Sequence, residues 1–243
     1  MTDRASADSP PTTSTKLWRG TSRADRDGAR RQRLLEAALE LYGTLGFRAT
    51  SIQALCHESG VSSRSFYELF PSRGAKSGLE ALSAQEALLE QLYVILNEEI
   101  TEALATLTFP AHATLLDTTV HVVSAALMPM LSDERKARVL EIETVGVNDS
   151  LEARRRETMR TIATAVDAAV AHLRSVYDLP IRDTPSVAGG ADLTSLILVG
   201  GITEALVQRV HTPVEERTST AEFLTHIAEV ALRAHGVSAT SGA

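Results

Sequence analysis

Polar side chains that could read DNA are concentrated in one short segment of the chain. Ser63, Arg64 and Ser65 stand at the start of a predicted short helix. An arginine can donate two hydrogen bonds to O6 and N7 of guanine, and serine hydroxyls can reach base edges or phosphates. Tyr67 and Arg73 follow on the same segment and suit contacts with phosphate. These residue types at this spacing indicate recognition of nucleic acid.

Two short helices joined by a tight turn must position these side chains. The stretch Thr50-Ser51-Ile52-Gln53 has the pattern of a capping box, which predicts a helix that starts at its first or second residue. Gly60 predicts the break after this helix, and Ser62 is the predicted N-cap of a second helix over 63–69. Such a pair forms a helix-turn-helix unit, whose second helix can enter a major groove. From periodicity alone, a helical hairpin that only buries a core remains the alternative.

An amphipathic helix is predicted in front of this pair, over residues 30–45. Leu34, Ala38 and Leu41 recur at helical spacing, and Gly46 predicts the C-terminal end. Residues 1–25 have low hydrophobicity and end in basic residues, so they are expected to form a disordered tail.

The formal net charge of −7 argues against a nucleic-acid-binding protein, but the charge is unevenly distributed. Residues 16–76 contain 11 Lys and Arg against 6 Asp and Glu, so this segment is basic and the remainder is acidic. The asymmetry predicts a basic, DNA-facing head on an acidic body. A charged face exposed to solvent is the alternative interpretation.

The composition predicts a helical, cytoplasmic protein. Apolar residues make up 44% and aromatic residues 4%, so the core should consist mainly of Leu, Ala, Val and Ile. A single cysteine, Cys56, excludes a disulfide framework.

We see no signal-peptide pattern, and the longest apolar run, 196–202, is too short to span a bilayer, so we expect no membrane partner. We also see no phosphate loop, nucleophile–base pairing or metal-ligand cluster, and therefore expect no enzymatic activity, no cofactor and no metal site.

A long helix ending in Leu-Gly-Phe and followed by residues 49–70 resembles the TetR family of transcriptional repressors. The matching residues stand at the family's spacings: Thr50-Ser51, Leu55-Cys56, Ser59-Gly60-Val61-Ser62, Phe66-Tyr67 and Leu69-Phe70. The resemblance is close over residues 30–73. It departs at Leu69, where a histidine is frequent, and at Cys56, where alanine is usual.

This resemblance implies the positions of the DNA contacts. An early hydroxyl of the first short helix would bind phosphate and a residue two positions later would reach a base, which corresponds to Ser51 and Gln53. The candidate DNA-binding residues are then Thr50, Ser51, Gln53, Ser62, Ser63, Arg64, Ser65, Tyr67 and Arg73.

The chain departs from the family pattern again after Arg73. Twelve residues, Gly74 to Gln85, separate Pro-Ser-Arg from the Glu-Ala-Leu-Leu that normally follows it. Capping-box patterns at Ser77 and at Ser83 leave two possible starts for the next helix. Because the family's linker helix transmits ligand binding to the DNA-binding heads, the insertion puts that coupling in doubt.

The resemblance and the helical periodicity together predict an all-α fold. The domains would be a three-helix DNA-binding domain with the helix-turn-helix over 26–73, an inserted linker over 74–85, a helical ligand-binding and dimerisation domain over 86–236, and a disordered tail over 237–243. The body helices are predicted over 83–107, 112–131, 133–146, 150–177, 191–211 and 215–234.

The resemblance further implies a ligand cavity and a homodimer. Candidate cavity residues, chosen from helical faces for a largely apolar small-molecule effector, are Leu116, Val120, Val123, Leu127, Met128, Leu140, Glu143, Thr144, Val147, Met159 and Ile162. Candidate dimer-interface residues on the last two helices are Leu193, Leu196, Ile197, Gly200, Gly201, Phe223, Ile227 and Val230. Two heads reading two half-sites of a double-stranded operator would roughly double the specific contacts.

Three functions remain open at this stage. The first is a repressor released from its operator by an effector, and the second is a DNA-binding regulator or architectural protein without an effector. An enzyme that uses a pocket of the helical body is the third.

Overall fold

The computed structural model describes residues 22–72, 83–109, 112–180, 184–187 and 190–237. Over these residues the fold is all-helical, with one isolated β-bridge between Ser186 and Asp192. The helices are α1 (Arg23–Thr44), α2 (Ile52–Ser59), α3 (Ser63–Leu69), α4 (Ala84–Ala105), α5 (Leu115–Leu131), α6 (Glu134–Arg138), α7 (Asp149–Val176), α8 (Leu193–His211) and α9 (Thr220–Ala234). A π-helical turn, Val139–Glu143, continues α6, and a short 3₁₀ turn, Val214–Glu216, precedes α9.

Helix α1 begins seven residues earlier than the apolar spacing predicted. The hydroxyl of Ser22 accepts a hydrogen bond from the Asp25 backbone N–H at 3.1 Å, and the Asp25 carboxylate accepts one from the Ser22 N–H at 2.9 Å. This reciprocal cap satisfies two backbone donors that a helix start would otherwise leave unpaired. Residues 22–25 therefore start the helix and are not part of a disordered tail. The rest of that predicted tail lies outside the described residues.

The helix-turn-helix prediction is confirmed. The Ser51 hydroxyl caps α2 by accepting from the Ala54 N–H at 3.1 Å, and the Ser62 hydroxyl caps α3 by accepting from the Ser65 N–H at 3.2 Å. Gly60 ends α2 with φ +63°, a left-handed conformation that glycine adopts without strain.

Helix α4 begins at Ala84, which is the later of the two starts that the sequence allowed. Ser83 and Glu86 form a capping box there. Gln85 therefore belongs to α4 rather than to the predicted linker. Residues 73–82, which hold most of the predicted insertion, lie outside the described residues.

The body differs from its sequence prediction at four other places. Helix α5 starts at Leu115 behind the Thr114 cap, and α9 starts at Thr220 because Ser219 forms a capping box with Glu222. The single helix predicted over 133–146 is instead the short α6 followed by the π-helical turn. Val237, predicted to begin a disordered tail, is 8% exposed and packs with an apolar cluster of the body.

Candidate DNA-binding surface and ligand cavity

The start of α3 presents an exposed polar edge. Ser62, Ser63, Arg64 and Tyr67 are exposed, and the Arg64 side chain retains 89% of its accessible surface. Arg64 Nε lies 2.9 Å from Glu68 Oε1, one helical turn later. Because an ion pair this exposed contributes little, a DNA acceptor can replace the glutamate at small cost. The predicted reading residue is therefore accessible.

The opposite face of α3 fixes the helix onto the head. Phe66 is fully buried and Phe70 is 2% exposed, and their ring centroids lie 5.7 Å apart. Arg31 of α1 covers the Phe70 ring at 4.9 Å and donates to the Leu69 carbonyl and to Gln91 of α4. Arg31 is thus a basic residue of the head that has a structural role.

Two further candidates lie on α2. Ser51 and Gln53 are exposed, whereas Ser65 of α3 is half-buried. Thr50 is 5% exposed, and its hydroxyl donates to the Gly46 carbonyl at 2.8 Å. The Thr50 side chain therefore holds the turn before α2, which corrects its assignment as a DNA-contacting side chain. Arg73 lies outside the described residues.

A further basic residue, outside the predicted set, lies close to α2 along the chain. Arg48 is exposed in the turn between α1 and α2, two residues before Thr50. Its charge was counted in the basic head, but no local motif distinguished it from the other arginines.

The body contains a cavity of about 550 Å³ among α4, α5, α7, α8, α9 and the π-helical turn. Its lining is largely apolar, as is typical of small-molecule sites. Of the predicted cavity residues, Val123, Leu127 and Ile162 line it. No cluster of three or more His, Cys, Asp or Glu that could hold a metal ion occurs in the described part of the chain.

The other eight predicted residues do not line this cavity. Leu140 and Thr144 are buried in the core, where the Thr144 hydroxyl donates to the Leu140 carbonyl. Met128 is 40% exposed, and Val120 is half-buried without lining the cavity. Three more pack in apolar clusters of the body without lining the cavity: Leu116, Val147 and Met159.

The eighth predicted cavity residue, Glu143, instead binds the head through its carboxylate. Glu141 lines the cavity in its stead. The π-helical turn is the physical reason, because its i→i+5 bonding shifts the helical faces that a 3.6-residue period assigns. Sequence periodicity carried no signal for this turn.

Two titratable groups of the cavity lining have shifted pKa values. Burial raises the pKa of Glu141, against the opposing effects of the Arg155 charge and the Thr203 hydroxyl. Burial lowers the pKa of His235, which is 5% exposed. The distance between His235 Nε2 and Ser195 Oγ is 3.4 Å. Burial thus favours the uncharged form of both groups.

The body holds the head at the turn between α1 and α2. The Glu143 carboxylate accepts from the Phe47 backbone N–H at 2.7 Å and pairs with Arg138 at 3.0 Å. Arg138 donates to the Thr44 carbonyl at 3.2 Å. From the other side, Gln85 of α4 donates to the Thr50 carbonyl at 2.8 Å.

A close helix crossing completes this junction between head and body. Arg135 of α6 pairs with Glu40 of α1 and with Asp133. Gly43 of α1 lies directly against Arg135, so closely that a Cβ at Gly43 would be 2.8 Å from the Arg135 Cα. The absence of a side chain at Gly43 is what allows α1 and α6 to approach.

The predicted dimer residues fall into two groups. Leu193, Ile197, Gly201 and Val230 are exposed, and Ile197 keeps 66% of its accessible surface. The others are directed at least partly into their own subunit: Leu196 and Ile227 pack in apolar clusters, Gly200 lies near Met159, and Phe223 lies under Arg209. Helix α8 is long and apolar enough to cross a membrane by length and composition, a test that core helices of soluble proteins also pass.

Comparisons with known proteins identify the head and the fold. Residues 34–75 match the family model of bacterial regulatory proteins of the tetR family. No curated protein matches the chain at the significance required.

Solved structures of regulators match most of the chain. FadR from Bacillus subtilis, solved in complex with stearoyl-CoA, is 16% identical with a TM-score of 0.61 over 84% of this chain and 98% of its own. The fatty acid degradation regulator FadR from Bacillus halodurans is 13% identical, with a TM-score of 0.59 over 84% of this chain and 94% of its own. A bacterial regulatory protein in the tetR family from Rhodococcus RHA1 is 16% identical, with a TM-score of 0.57 over 86% of this chain and 98% of its own.

At these identities the solved structures show the fold, and the family match covers the DNA-binding head. Residues 34–75 therefore match the tetR family of bacterial regulatory proteins, and the chain as a whole has the fold seen in the solved regulators.

Proposed function

We propose that this protein is a homodimeric, cytoplasmic transcriptional repressor that a small molecule releases from its DNA operator. The exposed start of α3, with Arg64 at its edge and Phe66 anchored behind it, is the observation that carries the proposal. A helix held this way can place its first side chains in a major groove. The cavity and the junction at Phe47 supply a ligand site and a physical connection to the head.

Replacing Arg64 by Ala should weaken binding to the operator, identified by selection from random DNA, by about 1–3 kcal/mol if Arg64 contacts a guanine. Fold stability should change little, because the side chain is exposed. Fluorescence anisotropy with operator and random duplexes at fixed salt measures both affinities.

Arg160→Ala is the matched control, because it also removes a solvent-accessible arginine paired with a glutamate on its own helix, but in the body. Operator affinity should survive this change. Equal loss in both variants, or equal affinity of the wild type for operator and random DNA, would contradict the assigned role.

The exposed apolar strip on α8 and α9 supports the homodimer. Leu193, Ile197 and Val230 are large apolar side chains left in solvent, and Gly201 among them permits close approach of a second helix. Burying such a patch against its own copy on a two-fold axis gives a closed, self-complementary interface.

Ile197→Lys should convert the dimer to a monomer, because it places a charge at the centre of this strip. Val176→Lys is the control, since Val176 is 59% exposed at the end of α7, outside the strip. Analytical ultracentrifugation at micromolar protein should show a dimer for wild type and control only. A wild-type monomer, or a dimeric Ile197→Lys, refutes this interface.

The effector is proposed to be largely apolar. A volume of about 550 Å³ and an apolar lining suit a molecule with a long or bulky hydrocarbon part. The similar FadR of Bacillus subtilis was solved with stearoyl-CoA, a ligand of this general kind. If the ligand favours a body conformation that the operator-bound dimer cannot adopt, binding of one must weaken binding of the other by the same factor.

A further inference from the structure

Glu141 is the one acidic side chain that the structure places in the cavity lining. Among the described residues, no Lys, Arg or His lies within ion-pair distance of its carboxylate. Arg155, whose charge acts on Glu141, directs its Nη1 to the Leu140 carbonyl at 2.7 Å and to the Thr144 hydroxyl at 2.9 Å. The Glu141 carboxyl therefore has the Thr203 hydroxyl as a hydrogen-bond partner in the cavity, but no paired cation.

A carboxyl in such a place is costly to ionise. Its neighbours in the lining are mostly apolar, and burial raises the pKa of Glu141. A buried charge becomes favourable when an opposite charge with hydrogen-bond donors is brought to it. A ligand that carries a protonated amine would supply that partner.

The basic groups of the lining lie at the other end of the cavity. Arg174 lies 19 residues after Arg155 on α7, which corresponds to about 28 Å along the helix. The Arg174 guanidinium donates to the Pro180 and His235 carbonyls. Repulsion between these distant groups and a cation at Glu141 is consequently weak. The nearer Arg155 directs its Nη1 to the Leu140 carbonyl and the Thr144 hydroxyl.

Two lining residues near the basic end, His172 and Phe109, are exposed to solvent. Exposed His172 stacks on Phe109, with ring centroids 4.1 Å apart, and both residues line the cavity. A ligand that enters there can extend its apolar body along α7 toward Glu141. The two ends thus distinguish a basic amphiphile, with its amine at Glu141, from an acidic one with its carboxylate at Arg174.

We propose that the cavity binds an amphiphilic amine, a molecule with an apolar body and one protonated amine that pairs with Glu141. This assignment rests on the proposed use of the cavity as the effector site. Glu141 belongs to the same π-helical turn as Glu143, whose carboxylate holds the Phe47 N–H of the head. An amine bound at Glu141 would therefore act two residues from the junction.

Three probes that differ only in their polar end test the ligand class: decylamine, decanol and decanoic acid. Isothermal titration with the full chain at pH 7 should show decylamine binding at least about tenfold more tightly than either other probe, equivalent to about 1.4 kcal/mol. Glu141→Gln should remove most of this preference and leave decanol affinity unchanged. Glu157→Gln, which neutralises an exposed glutamate of α7, should change none of the three affinities.

The wild-type comparison tests the proposal even if Glu141→Gln fails to fold. Tightest binding of decanoic acid, no binding of any probe, or an amine preference that survives in a folded Glu141→Gln overturns it. Operator affinity measured with and without decylamine separates this proposal from the proposed function. Amine binding that depends on Glu141 but leaves operator affinity unchanged would refute release by the ligand and retain the ligand class.

Discussion

Phe66→Ala should destabilise the DNA-binding head by about 3–5 kcal/mol, the usual cost of emptying a buried phenylalanine site. Phe66 is fully buried and belongs to the same apolar cluster as Leu34 of α1 and Leu55 of α2. Its loss removes the contacts that hold the seven-residue α3, which is too short to be stable alone. DNA binding should therefore disappear although Phe66 does not face the DNA. Denaturant unfolding followed by circular dichroism measures the stability change.

Tyr67→Ala is the matched control, because it truncates the neighbouring aromatic residue on the exposed side of α3. Tyr67 is 51% exposed, so stability should change by no more than about 0.5 kcal/mol. DNA affinity should still fall, since we propose that the exposed phenol contacts phosphate. Similar loss of stability in both variants would show that α3 is not oriented as described.

Gly43→Ala should destabilise the protein by about 1–3 kcal/mol, because it overpacks the crossing of α1 and α6. The new Cβ would overlap the Arg135 side chain and press on the Arg135 backbone, so a rotamer change alone cannot relieve it. The shift should also disturb the Glu40–Arg135 ion pair and loosen the head on the body. Thermal unfolding and operator affinity report the two effects.

Gly28→Ala in the same helix should have the opposite effect on stability. A Cβ at Gly28 meets nothing within 4 Å, and the residue is exposed within α1. Alanine there should stabilise the helix by about 0.5–1 kcal/mol through its higher helix propensity. Equal effects of the two substitutions would contradict the close approach at Gly43.

The elements of the head were predictable because their signals are local. Hydroxyl caps at Ser51 and Ser62 and the glycine at Gly60 define helix ends within a few residues of sequence. The early start of α1 had a similar signal in Ser22 and Asp25, but residues 23–33 lack the apolar period that drew attention to the rest of the helix. The capping pattern predicts the start of α1 better than the apolar period does.

The parts that sequence could not supply depend on contacts between distant residues. Burial of Thr50 follows from the way α1 turns into α2, and the exchange of Glu143 for Glu141 in the cavity follows from the π-helical turn. The close approach at Gly43 requires a helix 92 residues later in the chain. None of these features leaves a periodic pattern.

The junction also bears on the insertion over 74–85. The contacts of the head with Glu143 and Arg138 involve none of the residues 74–85. The proposed coupling between the cavity and the head can therefore use these contacts at the turn before α2, without involving the inserted residues. This reduces the doubt that the departure from the family pattern raised about coupling.

Selection of bound duplexes from a random DNA library is the most direct test of sequence recognition by α3. The wild-type dimer should enrich an inverted repeat whose half-sites are one helical turn or a multiple of it apart, and Arg64→Ala should relax the preference at one symmetric pair of positions. Recovery of no consensus, with binding that depends on salt but not on sequence, would contradict sequence-specific recognition by this protein.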